Sequence, residues 1–187
     1  MFFAKRPSQA SIDRFIRDSR GLPLSYEPAD VTNSPSTRWN LDSIVATIGA
    51  GRSDFDRARA ALRNWRQFDL GWVELFPRRA PIEPGSGVAV LVRHVGFWSL
   101  NGCRVVTIGE DNESSHVTYG TLTNHAESGQ ERFEVFMSQG SGEVTFRIQA
   151  VSRPRAALAR LGYPVVRRLQ ARFRADSVEA MRRATAG

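Results

Sequence analysis

Between Gly71 and Val151 the chain reads as a run of β-strands joined by turns too short to be crossovers, and this feature limits the possible folds most. Trp72 to Phe76 forms a short apolar stretch. Val88, Val90, Val92 and His94 then alternate with Ala89, Leu91, Arg93 and Val95. Cys103 to Ile108 follows, with a turn around Glu110-Asp111-Asn112-Glu113, and then His116 to Leu122. Past a polar loop lies Arg132 to Met137, and Gln139-Gly140-Ser141-Gly142 carries a hairpin signal. Val144, Phe146, Ile148 and Ala150 face opposite to Thr145, Arg147 and Gln149. Parallel strands need long crossover connections, so six strands in this spacing predict an antiparallel meander.

The flanking segments set what the meander packs against. Ser8 caps a first helix carrying Ile12, Phe15 and Ile16 on one face, ended by Gly21. Gly21 to Thr37 is rich in Pro, Ser and Asn and reads as an irregular arm. Arg38 to Ile48 reads as a seventh strand, broken by Gly49-Ala50-Gly51. A helix starting at Ser53, with Asp56 completing a weak capping box, places Phe55, Ala58, Leu62 and Trp65 on one stripe. The last segment begins a helix at Pro154 with Leu158 and Leu161 inward, breaks at Gly162-Tyr163-Pro164, and resumes with Val165, Leu169 and Phe173 at four-residue steps. A sheet with one apolar face must cover it, and the long C-terminal helix is the element sized for the task. The expected architecture is therefore α+β: a curved seven-stranded antiparallel sheet wrapped on a long C-terminal helix, with a cavity between them. One domain over 1–187 is expected, with an N-terminal helix and arm over 1–37 and a core over 38–184.

Composition narrows the class. The 187 residues are 41% hydrophobic and 24% charged, as in a globular chain. No apolar run approaches the ~20 residues of a membrane span. The N-terminus lacks the apolar stretch of a secretory signal, and the one cysteine, Cys103, suits a reducing compartment, so a cytoplasmic location is expected. Of 26 basic residues 25 are arginine, and the net charge of +7 falls entirely on Arg153 to Gly187. Arginines 160, 167, 168, 172, 174, 182 and 183 occupy the half of the helical wheel opposite the apolar stripe. They read first as a solvated outer face, and second as a surface for anionic lipid or nucleic acid. No zinc-finger spacing, RNP-type aromatic run or heptad-linked basic region is present, so no specific nucleic-acid partner is expected. The glycines at 49–51 and 85–87 lack the lysine of a phosphate loop.

Several stretches resemble one known family. They are Phe68-Asp69-Leu70-Gly71-Trp72-Val73, the run Phe97-Trp98-Ser99-Leu100-Asn101-Gly102-Cys103-Arg104-Val105-Val106, and Tyr119-Gly120-Thr121-Leu122 with His125, Glu127 and Gly129. Glu131-Arg132-Phe133, Ser152-Arg153-Pro154 and Leu158-Ala159-Arg160-Leu161-Gly162-Tyr163-Pro164 extend the match over nearly the whole chain. Together they resemble the bacterial and plant family called domain of unknown function nineteen-ninety. The chain departs from that pattern at Gln130, where Glu is usual, and at Asn101-Gly102-Cys103, where Pro often precedes the cysteine. The family is similar to the helix-grip superfamily of START-type and birch-pollen-allergen-type domains. That likeness implies a hydrophobic cavity for lipids, steroids or polyketides, and a minority of enzymes.

The polar loop and its flanks supply the candidate site. Tyr119, Thr121, His125, Glu127, Glu131 and Arg132 sit at the end of one strand, in the loop and at the start of the next, which a hairpin brings together. Asn101 and Arg153, from the resembling motifs, complete the candidate ligand-binding set. His125 beside Glu127 forms a possible base oriented by a carboxylate. With Glu131 the two offer nitrogen and oxygen ligands to a divalent metal, although a lone H-x-E is no metal motif and no metal or other cofactor is assigned. The competing reading pairs Glu127 and Glu131 with Arg132 or Arg153 as ion pairs that fix the loop. His94 and His116 read as hydrogen-bonded, partly buried imidazoles, and Cys103 as a small apolar residue. The favoured function is binding a small hydrophobic or lipid-like molecule. An enzyme using the His125/Glu127 loop comes second, and anionic-surface or nucleic-acid binding through the arginine helix third.

Overall fold

The computed structural model of the chain describes residues 1–27, 39–154 and 163–186. In chain order the elements are β1 (Phe2–Phe3), α1 (Gln9–Ser19), β2 (Asn40–Ala50), α2 (Gly51–Arg63), a single 3-10 turn (Arg66–Phe68), β3 (Val73–Phe76), β4 (Gly87–Arg93), β5 (Trp98–Glu110), β6 (Ser114–Thr121), β7 (Glu127–Met137), β8 (Glu143–Pro154) and α3 (Tyr163–Thr185). The sheet runs β2-β8-β7-β6-β5-β4-β3, antiparallel throughout. The predicted meander from β3 to β8 is therefore present, and the seventh strand closes onto β8. The sheet curves around α3 as a helix-grip half-barrel. The two-residue β1, which the sequence did not signal, pairs Phe2 with Ser99 and Phe3 with Trp98 beyond the point where β6 ends.

Strand periodicity assigns the two faces. Val88 and Val90 of β4, Cys103 and Val105 of β5, Val117 of β6, Phe133 and Val135 of β7, and Val144, Phe146 and Ile148 of β8 point inward, where they pack with α2 and α3. Phe55, Ala58, Leu62 and Trp65, the predicted stripe of α2, are all buried there. Phe173, Ser177, Val178 and Met181 continue the inward face of α3, and the Ser177 hydroxyl donates to the Gln67 carbonyl at 2.9 Å.

The outer face is covered as well, which corrects the view that α3 alone protects the sheet. Ile12 and Phe15 of α1 pack on Ala89, Leu91 and Leu100, the outward residues of β4 and β5. Ser8 caps α1 as expected, accepting from the Ser11 amide at 3.2 Å. Arg104, also outward, donates to the carbonyls of Arg20 and Leu22 and so ties the arm to the sheet. Beyond α1, the Ser25 amide donates to the Thr121 carbonyl at 2.9 Å, and Tyr26 reaches across Gly120 to Gln130.

Two helix starts differ from the sequence reading. α2 begins at Gly51, not Ser53, and Asp54 rather than Asp56 accepts from the Ala50 amide at 2.8 Å. Asp56 turns outward to Arg52 and Arg59. Pro154 ends β8 instead of starting a helix, because its pairing with Glu127 continues the ladder to that point. Residues 28–38 and 155–162 lie outside the described residues, and with them Arg38, most of the arm, Leu158, Arg160 and Leu161.

The arginines of α3 do not form one solvated face. Arg167 and Arg174 both pair with Asp42 of β2. Arg172 pairs with Asp176 and stacks over the Trp72 ring, and Arg182 pairs with Glu179. Val165, predicted inward, is 58% exposed. Among the described residues no helix is long and apolar enough to cross a membrane.

Candidate functional site

A cavity of about 940 Å³ lies between the concave face of the sheet and α3. Phe68, Trp72, Val73, Val90, Val92, Ala150, Leu169 and Phe173 make up much of its wall. Polar residues line it from five elements and two loops: Ser99 and Asn101 from β5, Tyr119 and Thr121 from β6, Glu127, Gln130 and Glu131 from β7, Ser152 from β8, Gln170 and Arg174 from α3, His94 from the β4–β5 loop and His125 from the β6–β7 loop.

β7 places the carboxylates. It begins at Glu127, so residues 127, 129, 131, 133 and 135 share the concave face. Gly129 leaves that face without a side chain where β8 presses against it. A Cβ there would stand 1.9 Å from the Val151 carbonyl oxygen, and its φ of +151° favours glycine. Two residues on, the Tyr119 hydroxyl donates to Glu131 Oε2 at 2.5 Å. Glu131 Oε1 has no hydrogen-bond partner among the described residues. Burial pushes the Glu131 carboxyl up to about 7, against the Tyr119 bond and the Arg174 charge, which favour the ionised form; Glu127 and Asp42 add to the rise. Burial, then the nearby Glu131, push the Tyr119 hydroxyl up as well.

Glu127 is held differently. Gln170 Nε2 donates to both its oxygens at 2.9 Å. Burial raises its carboxyl, opposed by the Gln170 and Ser152 hydrogen bonds and the Arg167 charge. The expected contact with His125 involves the Glu127 backbone, not its carboxylate: the Glu127 amide donates to His125 Nδ1 at 2.9 Å. A neutral ring accepting at Nδ1 carries its proton on Nε2. Burial lowers the His125 pKa to about 4, partly offset by that backbone bond, so the imidazole is neutral near pH 7 and a weak base.

The other candidates divide. Asn101 and Thr121 line the cavity. Asn101 Nδ2 donates to Ser99 Oγ at 3.0 Å, and Thr121 Oγ1 accepts from the Gly129 amide at 2.9 Å, bracing the two strand ends. Arg132 and Arg153 do not line the cavity: strand alternation puts them on the face opposite to Glu131 of β7 and Ala150 of β8. Arg132 pairs with Glu134 on the outer face, and Arg153 stacks over the Trp39 ring at 4.6 Å. The expected ion pairs of Glu127 and Glu131 with these arginines are therefore not formed. His94 lines the cavity, bonded to Ser99 Oγ at 2.8 Å and stacked on Phe97 with centroids 4.3 Å apart. His116 lies outside, over Gly109. Cys103 is fully buried, and burial followed by the Glu131 charge raises its thiol. No group of three His, Cys, Asp or Glu residues among those described stands close enough to hold a metal.

Sequence reasoning missed Gln170, which lies outside the apolar stripe of the C-terminal helix, Arg174, which reads as part of that helix's solvated half, and Asp42, a lone carboxylate on the edge strand. The period of β4 did signal His94, which continues the inward series Val88, Val90 and Val92.

Comparisons with known proteins agree with this architecture. The model of the family described as domain of unknown function DUF1990 matches residues 25–180. A UPF0548 protein of Dictyostelium discoideum is 32% identical over 206 aligned positions, which cover 98% of this chain and 95% of that one. The UPF0548 protein At2g17695 of Arabidopsis thaliana is 34% identical over 140 positions, 72% of this chain and 67% of the relative. Among solved structures, the Zhui aromatase/cyclase from Streptomyces sp. R1128 superposes with a TM-score of 0.56 at 12% identity, over 79% of this chain and 94% of that one, a likeness of fold.

Proposed function

The chain belongs to the DUF1990 family, and from that premise we propose that it binds a small, mostly apolar molecule between the sheet and α3. The observation that carries this reading is the cavity of about 940 Å³, walled by aromatic and aliphatic side chains and holding a few convergent polar groups. Ligand sites have this character and span roughly 300–1,000 Å³. A void of this size lined by Phe68, Trp72 and Phe173 gives up dispersion contacts that a filled core would make, and an apolar ligand restores them. The polar groups fix orientation. Glu131, Asn101 and His125 offer both acceptors and donors, so the ligand carries one or a few oxygen functions on an apolar body. The aromatase/cyclase named by a structural neighbour acts within the same fold class, which is consistent with this use of the cavity.

Native mass spectrometry of freshly purified protein, compared with its denatured mass, tests the proposal. An organic species released on denaturation, or saturable uptake of anilinonaphthalenesulfonate by the bare chain, is the expected result. A bare chain that takes up no dye overturns it.

A further inference from the structure

We propose that Glu131 is a general base in this cavity, taking a proton from a carbon beside a carbonyl group of the bound molecule, with Tyr119 as its positioning residue. The inference rests on the ligand-binding reading and adds a reaction to it. Its basis is geometric. A carboxylate that lines a mostly apolar cavity has one oxygen fixed by a phenol hydroxyl and the other without a hydrogen-bond partner among the described residues. Structural carboxylates in this protein look different. Asp42 is clasped by two arginines, and Glu127 has both oxygens occupied by Gln170. Glu131 faces neutral or distant partners instead: Tyr119 from β6 and Cys103 from β5, with Arg174 of α3 already paired to Asp42 of β2.

The chemistry balances without another reactant. The proton leaves carbon for Glu131 Oε1, and the C–H electron pair forms the enolate, whose charge rests on the carbonyl oxygen. Where a C=C bond adjoins the deprotonated carbon the anion is a dienolate, and return of the proton from Glu131 to its far carbon moves the double bond into conjugation with the carbonyl, completes an isomerisation and restores the carboxylate. His125 lines the same cavity, and its Nε2–H has no partner among the described residues, so it is available to donate to the enolate oxygen. A neutral donor serves this role without first losing a proton to solvent at neutral pH. Burial that holds the Glu131 carboxyl near 7 also makes it a stronger base than an exposed carboxylate while leaving much of it ionised at neutral pH.

The test uses 5-nitrobenzisoxazole, an apolar probe whose single acidic C–H is removed as the ring N–O bond breaks to give a coloured cyanonitrophenolate. The full chain is assayed across a pH series, beside displacement of anilinonaphthalenesulfonate by the same probe. Expected is turnover that rises with pH and levels off past an inflection near 7. Glu131→Gln should lose it by about 100-fold or more. Tyr119→Phe should move the inflection upward, because the hydroxyl stabilises the ionised carboxylate; a merely structural role for Tyr119 would lower the rate and leave the inflection in place. If the probe displaces the dye but wild type and Glu131→Gln turn it over equally, the base is overturned and the binding reading stands. If neither dye nor probe enters, both are overturned.

Discussion

Arg174 of α3, which lines the cavity, and Asp42 of β2 join the C-terminal helix to the edge strand of the sheet through an ion pair of 3.2 Å. Arg167, two turns earlier on α3, reaches the same carboxylate. Asp42 is 8% exposed. Burial pushes its carboxyl up, but the Arg167 hydrogen bond and the charges of both arginines outweigh that and hold it below its ordinary value. Asp42→Asn should therefore destabilise the fold by about 3 kcal/mol, since it leaves two arginines facing an uncharged amide. The sign of the pH effect follows. This stabilisation is present above the unfolded carboxylate's pKa and is lost as pH falls through the lower folded one. Urea midpoints of wild type and Asp42→Asn should converge on acidification and separate at neutral pH; a constant gap would show that charge is not the cause.

Glu131 should act on stability in the opposite direction. Its folded pKa of about 7 lies above the ordinary carboxylate value of 4.5, so the folded state holds the proton more tightly than the unfolded state does. Stability is unaffected below 4.5 and falls as pH rises from there through 7, by roughly 3 kcal/mol in total. Glu131→Gln removes that loss and keeps an acceptor for Tyr119. It should unfold at higher urea than wild type above pH 7 and match it near pH 4. Equal curves at both ends would mean the carboxyl is not held in a low-dielectric setting. A more stable protein that has lost proton transfer would fit a site that carries its charge at a cost to the fold.

The fold was legible because most strands are half-buried, and alternation such as Val144, Phe146, Ile148 survives in the sequence. The site was less legible for the same reason inverted. Where β7 borders the cavity, its inward residues are Glu127, Gly129 and Glu131, so polarity no longer separates the two faces. That stretch reads as a loop, the strand is read from Arg132, and Glu131 and Arg132 become equal candidates although they point to opposite sides. Asp42 and its two arginines are more than a hundred residues apart, and no local pattern links them. The glycines of the resembling motifs were visible as letters only. Gly120 is small because the Tyr26 hydroxyl would stand 2.3 Å from a Cβ there, and Gly102 because Asn124 Oδ1 would stand at the same distance.

The outer cover predicts a separation of stability from binding. Phe15 of α1 is 5% exposed and belongs to the cluster on the convex side of the sheet, with Ile12, Leu91 and Leu100. Phe15→Ala should cost about 3 kcal/mol or more, the usual price of emptying a buried aromatic site. Dye uptake by the folded fraction should be unchanged, because none of these residues lines the cavity. A thermal melt and a dye titration at a temperature where both proteins are folded would check this. Loss of uptake at full folding would show that α1 shapes the cavity through the sheet.

Two adjacent residues of β8 give the sharpest test of which face binds. Ala150 lines the cavity, and Gln149, its neighbour, points to the convex side by strand alternation. Ala150→Phe puts a ring into space that the ligand is proposed to occupy, and filling a void adds contacts without opening another. It should weaken dye binding by more than about tenfold, equivalent to 1.4 kcal/mol, with the melting temperature equal to wild type or higher. Gln149→Phe adds comparable bulk one residue away and should leave binding within twofold, or about 0.4 kcal/mol. If both substitutions weaken binding equally, the effect is general disturbance of β8. If only Gln149→Phe does, the ligand sits on the convex surface and the cavity between the sheet and α3 is not its site.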